Sequence, residues 1–170
     1  MTFTKFLPVP ILVSILAFVY MIIAGQFELI AWVAFITWAG YFLAGMDLKA
    51  AIRLAISFTL GILGGMAVVW LGTNVTSSWG TYAFPAAVAP VAFVIILLEL
   101  VPWFDLAPGY FLGCAAFFAA GATNDIATFK AVLIPALIGV VLGLATDFLR
   151  GAVFNMQGIE DPLKKNRQAA

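Results

Sequence analysis

Apolar residues run in long blocks separated by short polar or turn-forming stretches, and six blocks approach the roughly 20 residues a membrane-spanning helix needs. They are Leu7–Gly25, Leu29–Met46, Ala50–Gly72, Tyr82–Val101, Leu106–Ala122 and Phe129–Leu149. Pro8 and Pro10 open the first block, where a missing N–H costs nothing because the first helical turn leaves those groups unpaired. Thr73–Thr81 is the clearest polar break, and Pro102-Trp103-Phe104-Asp105 ends the fourth block. The fifth is short and holds Pro108, Gly109 and Gly113; Pro135 interrupts the sixth. From Gly151 the chain turns polar, and Gly158–Ala170 reads as a solvated, disordered tail. The pattern predicts an all-α fold, a polytopic transmembrane bundle of six helices over residues 1–150 with a cytoplasmic tail over 151–170. The first block follows Lys5 as a secretory signal would, but it is long for such a core and Ala24-Gly25-Gln26 is a poor cleavage site. It is read as a retained span.

Composition leads to the same class. Apolar residues make up 65% and charged residues 9% of 170, against about 25% charged in an ordinary soluble domain. So few charges cannot cover a water-facing surface, and the surplus apolar area must face lipid. Eight basic residues balance eight acidic ones, so no net field points to nucleic acid. Histidine is absent and Cys114 is the single cysteine. That removes the usual general base, the commonest metal ligand and any internal disulfide. No catalytic residue, metal or cofactor is expected, and the chain is not read as an enzyme.

Charge position gives the orientation. With six spans, Lys5, Lys49, Arg53, Arg150, Lys164, Lys165 and Arg167 gather on one side and only Lys130 on the other. Both termini are therefore expected in the cytoplasm.

An internal echo suggests how the bundle is organised. Trp38-Ala-Gly-Tyr-Phe-Leu-Ala-Gly45 resembles Cys114-Ala-Ala-Phe-Phe-Ala-Ala-Gly121. The alignment pairs Phe35 with Phe111, Trp38 with Cys114, Tyr41 with Phe117 and Phe42 with Phe118. An acidic residue (Asp47, Asp125), a basic one (Lys49, Lys130) and a glycine-bearing span follow each segment. The halves are then 1–78 and 79–150. Three spans apiece force the second copy upside down, giving a 3+3 inverted-topology repeat of the kind that builds many transporters and channels. Gly61-x-x-Gly64-Gly65 and Gly139-x-x-x-Gly143 lack the context of nucleotide loops and read as helix-packing faces.

The stretch Leu106-Ala-Pro-Gly-Tyr-Phe-Leu-Gly-Cys-Ala-Ala-Phe-Phe-Ala-Ala-Gly121, with Trp32-Val-Ala-Phe-Ile-Thr-Trp-Ala-Gly-Tyr-Phe42, resembles the YcdZ-type family of bacterial inner-membrane proteins. The likeness spans about Trp32 to Leu149 and rests on apolar motifs. It implies a small multi-pass protein of the bacterial inner (cytoplasmic) membrane, a domain of unknown function, and carries over no substrate and no site residues.

Charged residues inside a bilayer are costly and mark function, yet no Asp, Glu, Lys or Arg lies near the centre of any span. Arg53, Glu99, Asp147 and Arg150 fall at span ends on the cytoplasmic side. They are read either as ion pairs locking helix ends, with Arg53–Glu99 and Asp147–Arg150 as the obvious pairs, or as a polar vestibule. An uncharged midplane does not suit proton coupling but suits passive movement of a small neutral polar solute of urea, amide or short-alcohol size. Phe35, Trp38 and Phe42 share one helical face, as do Phe111, Cys114 and Phe118. The two rows are the candidate pore walls, with hydroxyls from Thr37, Ser57 and Thr59. Trp32, Trp70, Trp79 and Trp103 lie near span ends as interfacial anchors. Six short helices enclose little space, so a homo-oligomer, trimer or larger, is expected. The alternative is a non-transporting scaffold or a subunit of a larger membrane complex.

Overall fold

The computed structural model describes residues 2–159 and 161. Within them the chain is all-helical. After a short turn at Phe3–Phe6 come α1 (Pro8–Gln26), α2 (Ala31–Ala44), α3 (Leu48–Asn74), α4 (Ala83–Leu97), α5 (Ala107–Ala119) and α6 (Ile126–Met156). Two 3₁₀ stretches, Ser77–Tyr82 and Leu98–Leu100, flank α4.

Among the described residues, four helical segments are long and apolar enough to cross a membrane: Phe3–Gln26, Leu48–Asn74, Ser77–Leu100 and Ile126–Met156. Helices α2 and α5, at 14 and 13 residues, reach only about 20 Å at 1.5 Å per residue. They are shorter than their apolar runs because a left-handed backbone pair stops each one. Gly45 (φ 143°) and Met46 (φ 58°) end α2; Gly121 (φ 107°) and Ala122 (φ 53°) follow α5. Such residues close helix C-termini by turning the chain back onto free carbonyls: the Met46 N–H donates to the Tyr41 carbonyl and the Ala122 N–H to the Phe117 carbonyl. Each next helix then starts on an acidic cap. Asp47 accepts from the Ala50 N–H at 2.5 Å, and Asp125 from the Thr128 N–H at 2.7 Å.

Packing places α2 along α6 and α5 along α3, while the long helices α3 and α6 touch each other. Missing β-carbons permit the close approach. A β-carbon on Gly139 would overlap the Ala34 carbonyl and the Thr37 hydroxyl, and one on Gly61 the Tyr110 carbonyl. One turn on, Gly143 lies under the Tyr41 ring and Gly65 under the Phe117 ring, each 2.6 Å from the nearest ring atom to a built β-carbon. The core so formed holds Val33, Phe58, Ile62, Phe117, Val132 and Ala136. Helices α1 and α4 pack outside it, α1 on α6 and α4 on α3, and remain largely exposed.

The polar turn at Gly151 does not end the last helix. α6 continues to Met156, and Arg150 and Phe154 on one side of its last turns are buried. Lys164, Lys165 and Arg167 lie outside the described residues.

Candidate functional site

The two aromatic rows occupy different surroundings. Phe35 is 37% exposed, stacks on Trp38 (centroids 5.9 Å apart) and meets the Tyr20 ring of α1 edge-on at 5.6 Å. Trp38 is buried and its indole N–H donates to the Thr146 hydroxyl of α6 at 3.0 Å. Phe42 is half-buried beside Tyr41. On α5, Phe111 is 48% exposed, Cys114 is half-buried, and Phe118 meets Phe84 of α4 edge-on at 5.6 Å. The first row therefore turns toward α1 and α6, and Phe118 of the second toward α4. Spacing fixes which side chains share a face but not which neighbour that face meets. Between α2 and α5 stand Gly40 and Leu112 instead: a β-carbon on Gly40 would lie 3.7 Å from the Leu112 side chain. Ile36 and Leu112 both pack on the core there.

The hydroxyls of Thr37, Ser57, Thr59 and Thr146 each bond a backbone carbonyl, as a low-dielectric interior demands. Thr37 donates across to the Ala136 carbonyl of α6 at 2.8 Å. Ser57 bonds the Leu54 carbonyl at 3.2 Å, Thr59 the Ala55 carbonyl at 2.7 Å and Thr146 the Leu142 carbonyl at 2.8 Å. Beside Thr146, a crevice between α1 and α6 is lined by Val9, Val13, Leu149 and Arg150 and is too narrow for a water molecule. A wider, open groove of 420 Å³ separates α3 from α4.

Charged groups gather at helix ends, with partners other than the obvious ones. Arg53 pairs with Asp105, just before α5, at 2.8 Å, rather than with Glu99. Glu99 sits exposed in the 3₁₀ turn after α4; Asp105 leads into α5, the helix packed along α3. Lys49 lies 5.7 Å over the Trp103 ring. Arg150 is held by Asp161, Nε to Oδ2 at 2.9 Å and Nη2 to Oδ1 at 2.6 Å, with its guanidinium 5.5 Å from the Phe154 ring. Asp147, one turn earlier, is half-buried. Sequence spacing misses Asp105 and Asp161 because both partners come from segments that read as loop or tail.

A family model described as a protein of unknown function, DUF1097, matches residues 10–151, from the first turn of α1 to just past Arg150. The chain belongs to the DUF1097 family. The match takes in α2 to α5 and most of α1 and α6, so the Arg53–Asp105 pair lies within the DUF1097 region, whereas Asp161 lies beyond it. No curated protein and no solved structure matches this DUF1097 chain.

Proposed function

We propose that this DUF1097 protein is a non-enzymatic facilitator for passive movement of a small neutral polar solute. In this reading it is a YcdZ-type protein of the bacterial inner membrane, with six spans, both termini in the cytoplasm, and halves 1–78 and 79–150 related by an inverted repeat. One set of observations carries it: the contacts of one half recur in the other with the partners exchanged. Gly61 against the Tyr110 carbonyl answers Gly139 against the Ala34 carbonyl, and Gly65 under Phe117 answers Gly143 under Tyr41. Thr37 on the Ala136 carbonyl is answered by Gly113 against the Phe58 carbonyl. The Gly45–Met46 turn and Asp47 cap have their counterparts at Gly121, Ala122 and Asp125. Related three-helix units packed antiparallel are the scaffold of many transport proteins, and a charge-free middle favours an uncharged solute.

The seam between α2 and α5 is filled by side chains in this conformation, so conduction requires opening. The least buried helices, α1 and α4, are the elements free to move. The aromatic rows then flank the α1 and α4 sides of the bundle rather than a central pore. The assembly is proposed to be a homo-oligomer, trimer or larger. Swelling of proteoliposomes in iso-osmotic urea, acetamide or glycerol tests the proposal, and permeability equal to that of empty vesicles across the panel rejects it. The filled seam also favours a second reading, a non-transporting scaffold or complex subunit; co-purification of a fixed membrane partner at constant stoichiometry supports it.

A further inference from the structure

The groove between α3 and α4 has two chemically different ends. Its α3 wall is Leu60, Gly64, Ala67 and Leu71, and Pro90 and Val94 stand opposite. Gly64 deepens it: a β-carbon there would meet only Val91 at 3.4 Å and Ile95 at 4.0 Å. Leu60 to Leu71 spans about 16 Å of helix, half of a hydrocarbon core about 30 Å thick and so one leaflet deep. Continued toward the start of α3, the same helical stripe reaches Arg53 and then Lys49. On the other wall, Leu98 lines the groove and the exposed Glu99 follows it. The chain then returns to α3, bringing Trp103 under Lys49 and Asp105 onto Arg53. Among the described residues, the Arg53 Nε–H has no hydrogen-bond acceptor. Beyond the opposite end stand Thr73 and Asn74, which are polar but uncharged.

We propose that this slot binds one glycerophospholipid with a primary ammonium headgroup, a phosphatidylethanolamine. An acyl chain fills the groove, the phosphate sits at Lys49 and Arg53, and the ammonium faces Glu99 and Asp105. A headgroup carrying only negative charge would meet the cations but be repelled by the two carboxylates, which is why the zwitterion fits better. The inference requires a membrane-embedded chain and does not depend on solute movement.

Native mass spectrometry of the purified chain, titrated in detergent with dioleoyl phosphatidylethanolamine, dioleoyl phosphatidylglycerol or dioleoylglycerol, tests it. The expected result is one saturable phosphatidylethanolamine adduct per chain, bound at least about tenfold more tightly than dioleoylglycerol. Gly64→Leu, which fills the groove, abolishes it, and Lys49→Gln, an exposed change that leaves the fold alone, weakens it. Equal binding of dioleoylglycerol, tighter binding of phosphatidylglycerol, or an adduct unchanged in Lys49→Gln would each overturn the assignment.

Discussion

Arg150 grips Asp161 with two nitrogens at 2.9 and 2.6 Å, and the two side chains are only 10% and 4% exposed. Removing one member of a buried pair strands the other charge, at a cost of about 3–5 kcal/mol. Asp161→Asn should therefore lower the unfolding midpoint in an SDS titration of the micellar protein. Replacing both, Arg150→Met with Asp161→Leu, should restore most of the loss. Equal stability of Asp161→Asn and the parent would show that the contact does not form in solution.

Gly61 and Gly139 should tolerate no side chain. Each faces a carbonyl oxygen of the neighbouring helix, so Gly61→Ala or Gly139→Ala must push two helices apart, and overpacking of this kind costs about 1–3 kcal/mol. Gly25, with nothing within 4 Å of a built β-carbon, is the control. Gly25→Ala should be neutral or should stabilise by up to about 1 kcal/mol through lower backbone entropy in the unfolded chain. The same SDS titration reads all three.

The Thr37 hydroxyl donates across from α2 to the Ala136 carbonyl of α6 at 2.8 Å. Thr37→Val keeps the shape and loses the donor. Interhelical bonds in membranes are worth about 0.6 kcal/mol on average, so a small loss is expected, well below that of Gly139→Ala. A loss as large as that of the glycine variant would mean the hydroxyl holds more than this carbonyl.

The Asp125 carboxyl, exposed at the N-terminal cap of α6, is held below its ordinary value, chiefly by the hydrogen bond from the Thr128 N–H. Its folded pKa is thus lower than its unfolded one, and the unfolded chain binds more protons on acidification. The cap contributes fully above the ordinary carboxylate value of about 3.9 and is lost as pH falls through the depressed folded value. Asp125→Asn should flatten the decline in thermal stability below that pH, and an unchanged acid slope would contradict the assignment.

Much of this arrangement is legible in the sequence. The apolar runs gave the six helices, and the glycine pairs at 61 and 65 and at 139 and 143 were readable as packing faces because small residues have few other uses inside a membrane. The direction of the aromatic rows was not legible. In a soluble protein, polar residues mark the outer face of a helix, but here Phe111 on an exposed face and Phe117 in the core are the same residue type, since lipid and protein interior are equally apolar. The partners of Arg53 and Arg150 were hidden for another reason. Asp105 and Asp161 reach them through tertiary folding of irregular segments, and no helical periodicity relates them.

Under the proposed inverted repeat, the Asp47 and Asp125 caps are equivalent points on oppositely directed halves. Asp47→Cys and Asp125→Cys, each in a Cys114→Ser background, can be labelled with a membrane-impermeant maleimide in right-side-out and inside-out vesicles. In that arrangement Asp47→Cys reacts only in inside-out vesicles and Asp125→Cys only in right-side-out ones. Reaction of both from the same side would contradict it.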